Sequence, residues 1–434
     1  MYAKLDAAFK KLEANRAEIS YDINEIQTSE DVIDLKGILD KHGVVIFRNA
    51  VSKPSVANLH KNIAKCAKDM FDLDVKKDIF ADLNPHRNST NHFANASFSY
   101  FFLQPARLGD PCSVDDYDTE SGTDERGLLA NVYFTQNTGY QVNLALLEDN
   151  PHTAAILFGL THPEGGMVSW DSFKLANNPR PRPKTMTKQT LTKCHFDAYG
   201  DNDKVVEAVQ RIQAMISIED RIKLGYVPDS TNPEIKQLLL EITQKPNLYK
   251  TAGFKTFADK QLIDVFNKYI VAPPSGSLVL WKSGIIHYEA EFTPRNDICR
   301  FKSLTDLPNQ KRIRCPVGTH LVYKLPQSEV KELAVYAENG LLPDMYFGRN
   351  KDTKIGKNIM CSKNTQYRIY RKLEDPEELQ DIIEEYDEED KCDEVLDEMT
   401  NLKKYMYGIN CDVSDLEISD EDKVMLREMI RAKV

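Results

Sequence analysis

Two histidines and an aspartate are the residues of this chain whose types and spacing best suit metal chemistry. His195 and Asp197 flank Phe196, and His287 lies in a separate strand-like segment, 286–292. Because side chains alternate along a strand, His195 and Asp197 would share one face while Phe196 points into the other layer. Two imidazoles and one carboxylate form a facial triad that leaves three positions of a bound Fe(II) open. The sequence therefore predicts an iron site in which His195, Asp197 and His287 are both metal ligands and catalytic residues.

The open positions of such a site suit a chelating co-substrate and dioxygen. Arg300, on the predicted strand after His287, can hold a dicarboxylate through two parallel hydrogen bonds. We therefore expect 2-oxoglutarate to chelate the iron as a co-substrate and dioxygen to bind last. Arg295 is an alternative clamp, although it lies in a segment that predicts a turn. A second histidine–carboxylate pair, His162 and Glu164, flanks a proline beside two glycines, which indicates a structural role.

The elements that would position these residues follow from hydrophobic periodicity and capping signals. Helices are predicted at 2–17, at 30–42 before Gly43, at 52–63, at 151–159, at 232–243 and at 257–269. Strands are predicted at 44–48, 168–173, 211–220, 278–281, 286–292 and 298–304. Antiparallel strands with helices gathered outside them predict an α+β fold, specifically a double-stranded β-helix, the jelly-roll or cupin-like barrel.

Charge divides the chain into a body and an extension. The total charge is −11, yet the segment 374–398 alone holds fifteen acidic residues and one lysine. A basic stretch, 349–372, precedes this acidic run, and a capped terminal helix is predicted at 419–431. We therefore predict a catalytic domain at 1–345 and a basic-then-acidic, partly helical extension at 346–434. An acidic segment folded onto a basic surface would be autoinhibitory or protective.

Composition and cysteine usage narrow the class of protein. The chain has 434 residues, of which 41% are hydrophobic and 28% charged, as in ordinary globular proteins. No run of eighteen uncharged apolar residues and no secretory leader pattern is present. The eight cysteines form no C-x-x-C pair, so neither a disulfide framework nor a zinc finger is indicated. We expect a cytoplasmic protein without a membrane segment.

Four blocks of the sequence carry a resemblance to a known family. These blocks are Gly43–Val51 with the helix 52–63, His195-Phe196-Asp197, Arg211–Asp220 with the glycine-containing turn Gly225–Ser230, and Pro274–Trp281 with His287, Asn296 and Arg300. Together they resemble the phytanoyl-CoA dioxygenase-like family of Fe(II)/2-oxoglutarate oxygenases. The resemblance covers about residues 35 to 305. It implies iron, 2-oxoglutarate and dioxygen, with Arg300 as the co-substrate arginine. Since Asp197 stands where halogenating relatives carry a small residue, it implies hydroxylation.

The sequence also departs from that family. Asp229 and Thr231 replace the usual glycine and histidine of the turn, and twelve residues separate His287 from Arg300, more than expected. Gln213 and Trp281 would line the cofactor pocket, or equally belong to the barrel core.

Three classes of function remain open on these residues. The first is an Fe(II)/2-oxoglutarate hydroxylase, the second a noncatalytic jelly-roll binding module, and the third a metallohydrolase that uses the triad with zinc. The basic segments 174–193 and 311–314 fit a phosphorylated or acyl-carrier-linked small molecule, or a nucleic acid.

Overall fold

The computed structural model describes eleven stretches of the chain and a few helical positions between 327 and 335. The stretches are 1–56, 146–161, 174–177, 194–199, 212–217, 221–250, 252–304, 311–314, 341–343, 367–369 and 389–432. The helices are α1 (Tyr2–Ala14), α2 (Ser29–His42), α3 (Pro151–Thr161), α4 (Pro233–Thr243), α5 (Lys260–Tyr269), α6 (Glu389–Glu398), α7 (Asn401–Tyr407) and α8 (Asp420–Ala432). The predicted mixture of helices and largely antiparallel sheets is confirmed.

Fourteen strands are described. They are β1 (Ser20–Asp22), β2 (Val44–Arg48), β3 (Lys174–Asn177), β4 (His195–Tyr199), β5 (Ile212–Ser217), β6 (Ile222–Val227), β7 (Ala252–Thr256), β8 (Val271–Ala272), β9 (Ser277–Lys282), β10 (Ile286–Thr293), β11 (Cys299–Ser303), β12 (Lys311–Arg314), β13 (Leu341–Pro343) and β14 (Tyr367–Ile369). One sheet has the order β1-β2-β9-β5 and another the order β11-β8-β6-β10-β4-β7, while β3–β12 and β13–β14 form two ribbons. Because β11 pairs with both β8 and β10, strands β6, β8, β10 and β11 close into a small barrel.

The two larger sheets share an apolar core. Its members from the four-stranded sheet are Val44, Ile46, Met215, Val279 and Trp281, and those from the six-stranded sheet are Leu224, Tyr226 and Val271. Every one of these side chains is buried. Burial of such groups stabilises the fold by roughly 1.5–3 kcal/mol for each large side chain. The face-to-face packing fixes which strand residues point into the interior.

Helices cover the opposite face of the six-stranded sheet. Phe9 of α1 packs against Phe266 and Tyr269 of α5, with ring centroids 6.2 Å and 5.1 Å apart. Helix α5 begins at the N-cap Asp259, whose carboxylate accepts the backbone N–H groups of Gln261 and Leu262. This second core therefore joins α1, α4 and α5 to the outer side of β4, β6 and β10.

The predicted helix before Gly43 is present as α2. Thr28 forms a capping box with Asp31, and Gly43 ends the helix at φ 78°. A Cβ on Gly43 would overlap the Ile285 side chain, so both conformation and space require glycine here. Strand β2 begins at the next residue, as expected.

One predicted turn begins later in the chain than expected. The segment Gly225–Ser230 was expected to form a glycine-containing turn, but Gly225 lies inside β6. A Cβ on Gly225 would meet Ile270 at 2.9 Å and overlap Phe292, so the glycine serves close packing within the barrel. The turn follows β6, and Asp229 occupies it at φ 65°, a conformation that aspartate tolerates better than most residues. That backbone geometry explains how Asp229 can replace a glycine.

The terminal helix α8 packs on α2 and α3. Gly159 of α3 leaves room for Met429, because a Cβ there would meet the methionine Cε at 2.8 Å. Ser29 donates a hydrogen bond to the Glu428 carboxylate over 2.6 Å. His152 lies between Asp422, whose Oδ1 is 2.5 Å from its Nδ1, and the Ile23 carbonyl, which is 3.0 Å from its Nε2.

The His152 contact predicts that docking of α8 weakens at alkaline pH. Burial opposes protonation of His152, but the hydrogen bond and charge of Asp422 outweigh it and raise the pKa above 6.5. A raised folded-state pKa contributes stability that is complete below the unfolded value and is lost as pH rises through the folded value. We expect His152→Gln to flatten the decline in unfolding free energy between about pH 6 and 8, measured by urea denaturation. An equal decline in the variant and the wild type would contradict this role.

Some predicted features lie outside the described residues. These are the strand at 168–173, most of the helix 52–63, the His162–Glu164 pair, and most of the basic stretches 174–193 and 349–372. Within the described stretches, no helix combines the length and apolarity that a membrane span requires.

Candidate metal centre

Strands β4 and β10 bring the three predicted ligands to one face. His195 and Asp197 point to the interior side of β4, whereas Phe196 is 1% exposed in the outer core and stacks on Tyr249 at 4.9 Å. His287 stands directly opposite His195 in the antiparallel pairing of β10 with β4. The predicted alternation and the predicted convergence of distant strands are thus both present.

The ligand atoms of the triad are close enough to share an ion. One ligand atom from each of His195, Asp197 and His287 can be chosen so that all lie within 4.8 Å of one another. The His195 Nε2–Asp197 Oδ1 distance is 3.8 Å, and the His287 Nε2–Asp197 Oδ2 distance is 3.7 Å. Bonds of about 2.1 Å at right angles place ligand atoms about 3 Å apart, so each histidine lies within about 1 Å of the spacing it needs to share an ion with an oxygen of Asp197.

Main-chain and side-chain partners orient the ligands. The Nδ1 of His287 lies 2.8 Å from the Ile285 carbonyl, which can only accept, so Nδ1 carries the proton and Nε2 offers its lone pair. The Asp197 carboxylate accepts a hydrogen bond from Gln213 Nε2 at 2.8 Å through its Oδ2. The Asp197 backbone N–H donates to the Ser283 carbonyl over 3.0 Å. This second layer of contacts is what metal sites use to fix ligand geometry.

Gln213 and Trp281, predicted to line the pocket, both lie beside the triad. They face each other across β5 and β9. The Trp281 ring lies 5.9 Å from the His287 ring and 4.9 Å from the Tyr226 ring. Trp281 is buried, and its Nε1–H meets no acceptor within the described part of the chain. A buried donor of this kind calls for a partner, since leaving it unpaired costs about 1–3 kcal/mol.

Arg300 shares the sheet with the triad but contacts another element. Cross-strand pairing places Arg300, Val271, Tyr226 and His287 in one row, no more than about 14 Å from end to end. The Arg300 side chain is 43% exposed, and its Nη1 lies 3.4 Å from Glu13 Oε1 on α1. Its guanidinium therefore does not join His195, Asp197 and His287 in the structure.

The alternative clamp, Arg295, is exposed in the turn between β10 and β11. Neither arginine is thus seen at the triad, and the identity of a co-substrate clamp stays a prediction.

Sequence reasoning missed the contacts made by the backbone. The carbonyls of Ser283 and Ile285 hold two of the three predicted ligands, yet a main-chain acceptor leaves no trace in residue type. The Ser283-Gly284 pair between two strands signals a turn, and that turn could have been examined for ligand-holding carbonyls. Tyr226, whose ring lies 6.2 Å from that of His287, carried no such signal.

Comparisons with known proteins give only distant likenesses. No protein-family model and no curated protein matches the chain. The solved structure of GIG2 (DUF1479) from Candida albicans aligns with a TM-score of 0.43 at 10% identity, covering 99% of this chain and 89% of that one. A Salmonella typhimurium LT2 protein described provisionally as an oxidoreductase aligns at 0.36 and 9% identity, covering 77% and 81%. Hypothetical protein JW0805 from Escherichia coli aligns at 0.33 and 10% identity, covering 77% and 81%. At these TM-scores the likenesses carry no argument about activity.

Proposed function

We propose that this chain is a non-haem Fe(II)- and 2-oxoglutarate-dependent dioxygenase that hydroxylates its substrate while 2-oxoglutarate is decarboxylated to succinate. The observation that carries the proposal is the buried convergence of His195, Asp197 and His287 within 4.8 Å. Two neutral imidazoles and one carboxylate suit Fe(II), and they leave three positions for ligands from outside the protein. The donor set therefore fits the metal that the sequence predicts.

In this proposal, the chain binds and orients the reactants. Iron held by the triad would supply the redox chemistry that lets dioxygen oxidise 2-oxoglutarate and the substrate. The Ile285 carbonyl keeps the His287 proton on Nδ1, and Gln213 keeps the Asp197 carboxylate aligned. The Trp281 Nε1–H is a suitably buried donor for an oxygen of the co-substrate. Burial of all three ligands limits access of bulk water to the site.

Arg300 remains the proposed clamp for the far carboxylate of 2-oxoglutarate. Its present partner, Glu13, is itself partly exposed, and exposed ion pairs of this kind are worth only about 0–1 kcal/mol. A buried dicarboxylate could therefore compete with Glu13 for the guanidinium. The strand register supports the role of Arg300 as a clamp. Residues directly opposite one another share a face of the sheet, so Arg300 lies on the same side as His287.

The finer fold and partner assignments are proposals as well. Two sheets around a shared interior, with strands paired in an order far from chain order, support a double-stranded β-helix. The sequence blocks around His195 and His287 support membership of the phytanoyl-CoA dioxygenase-like family. We place the catalytic domain at 1–345 and the extension at 346–434. The basic segments favour a small substrate that is phosphorylated or linked to an acyl carrier.

Anaerobic titration of the full chain with Fe(II) and 2-oxoglutarate tests the proposal. We expect the weak visible charge-transfer band of the chelate to appear, and succinate to form once dioxygen is admitted. Zn(II) is the control, because it suits the same ligands but carries no redox chemistry. Well-folded protein that binds Fe(II) but shows neither the band nor succinate would refute co-substrate use and favour a noncatalytic binding module.

The contact between Arg300 and Glu13 favours a second candidate, a zinc-dependent hydrolase. Such an enzyme needs no dicarboxylate clamp, so its arginine can remain paired at the surface. Metal analysis of the purified protein separates the two. A hydrolase should retain zinc with an affinity that 2-oxoglutarate does not change.

A further inference from the structure

A buried ion cluster lies outside the triad, at the junction of three elements. It consists of Arg16, just after α1, His42, at the end of α2, and Asp229, in the turn after β6. The Asp229 carboxylate lies 2.6 Å from His42 Nδ1 through Oδ1 and 3.3 Å from Arg16 Nη1 through Oδ2. The side chains are only 8%, 4% and 4% exposed, respectively. Removing one partner of such a cluster leaves an uncompensated charge in the interior.

Asp229 reaches the His287 strand through the residue that follows it. The Asp229 backbone N–H donates to the His42 carbonyl over 2.9 Å, which fixes the turn at φ 65°. Ser230 Oγ then accepts the backbone N–H of Ile286 over 2.9 Å. Ile286 directly precedes His287, so one hydrogen bond and two peptide links connect Asp229 to a proposed metal ligand.

The turn between β9 and β10 is the element that receives this support. We call residues 282–285 the ligand turn, because its Ser283 carbonyl accepts Asp197 N–H at 3.0 Å and its Ile285 carbonyl lies 2.8 Å from His287 Nδ1. Two of the three triad residues are therefore oriented by one short segment.

The outer side of the ligand turn packs against the chain next to the cluster. The Lys282 N–H donates to the Gly43 carbonyl over 2.9 Å, and the Ile285 side chain fills the space where a Gly43 Cβ would lie. Gly284 lies close to Thr231, because a Cβ there would be 3.1 Å from the threonine Cγ2. Gly43 follows His42, and Thr231 lies two residues beyond Asp229. The residues next to the ion cluster therefore contact the ligand turn directly at both ends.

We infer that the Arg16–His42–Asp229 cluster positions the ligand turn, so that anchoring of the α1 C-terminus sets the metal affinity of the triad. None of the three residues belongs to the triad, and each acts as a positioning residue. The inference rests on the metal site of the proposed function but not on 2-oxoglutarate or on hydroxylation. Loss of outer contacts that orient metal ligands lowers metal affinity by about 10–100-fold in general.

Asp229→Asn is the variant that tests this inference. Asparagine tolerates the left-handed conformation and keeps the shape of aspartate, so the charge and one of the two acceptor oxygens are lost while the backbone can stay in place. We expect Co(II) to bind the full-length variant about 10-fold more weakly than the wild type in calorimetric titration, with an altered visible Co(II) spectrum. Arg16→Gln is the second variant, to be used if Asp229→Asn fails to fold. It removes the ion pairs of Arg16 with Asp229 and Glu13 and leaves the contact between His42 and Asp229 in place.

Asp6→Asn is the matched control on the same helix. Asp6 anchors α1 to α5 through Lys268, at 2.9 Å, and through the Tyr269 hydroxyl, also at 2.9 Å, so its loss loosens α1 far from the ligand turn. We expect this variant to lose stability while Co(II) affinity stays at the wild-type value. Equal Co(II) affinity and spectra in Asp229→Asn, Arg16→Gln and wild type would overturn the inference.

A readout in the metal-free protein separates this inference from the proposed function. The ¹⁵N shifts of His287 report which ring nitrogen carries the proton. We expect Nδ1–H in the wild type and a mixed population in Asp229→Asn. Wild-type protein that binds no metal would refute the metal centre, yet the tautomer comparison would still decide whether the cluster orients His287. Identical tautomer populations in both proteins would then overturn the positioning role.

Discussion

His195→Ala is expected to weaken Fe(II) binding by more than about 100-fold and to abolish succinate formation. The variant removes one of three ligands outright, whereas loss of an outer-sphere contact alone costs about 10–100-fold. The fold should survive, since the outer core beneath β4 is built from Phe196 and its aromatic neighbours and does not include His195. Iron content after desalting, measured beside far-UV circular dichroism, distinguishes loss of metal from loss of fold.

Ser277→Ala is the matched control for the triad variants. Ser277 is fully buried on β9, and its Oγ has no hydrogen-bond partner among the described residues. Its replacement therefore removes a buried polar atom without touching a proposed ligand, and iron binding should be unchanged. Asp197→Ala and His287→Ala should behave like His195→Ala. Wild-type iron affinity in any of these three variants would remove that residue from the ligand set.

The parts of the site that depend on the geometry of a single strand could be predicted from the sequence. The parts that depend on tertiary contacts could not. Period-two alternation places His195 and Asp197 together in any strand, so the spacing alone was sufficient. The pairing of His287 with His195 joins residues far apart in the chain, and only the expected order of strands suggested it. The sequence around Arg300 does not indicate its contact with Glu13. That contact depends on the position of α1, which is set by packing of Phe9 on α5.

The fold shows the same division. Apolar periodicity identified α2 and Gly43 identified its end, because both signals act within a few residues. Helix α1 ends at Ala14, three residues before the predicted end at 17, and the chain then runs into the ion cluster at Arg16. Strand β7 was not predicted, since Ala252-Gly253-Phe254-Lys255-Thr256 has little intrinsic preference for a strand. Hydrogen bonding to β4 stabilises this strand despite its weak intrinsic preference.

Phe196→Ala is expected to produce the opposite result to His195→Ala, one residue away. Phe196 is 1% exposed and packs on Tyr249 and Phe257 in the core beneath the helices. Truncation of a buried phenylalanine costs about 3–5 kcal/mol, so the urea midpoint should fall sharply. The ligands face the other side of β4, and iron affinity of the folded variant should therefore stay near the wild-type value.

The two neighbouring variants together test the register of β4. A shift of one residue would exchange the faces of the strand, sending Phe196 to the metal and both ligands into the outer core. In that case Phe196→Ala would impair iron binding, and His195→Ala would relieve a buried polar group. Phe196→Leu, which keeps most of the apolar volume, should recover part of the lost stability without changing iron affinity. If the observed register is correct, replacement of Phe196 lowers stability and replacement of His195 lowers metal affinity, because the two side chains lie on opposite faces of β4.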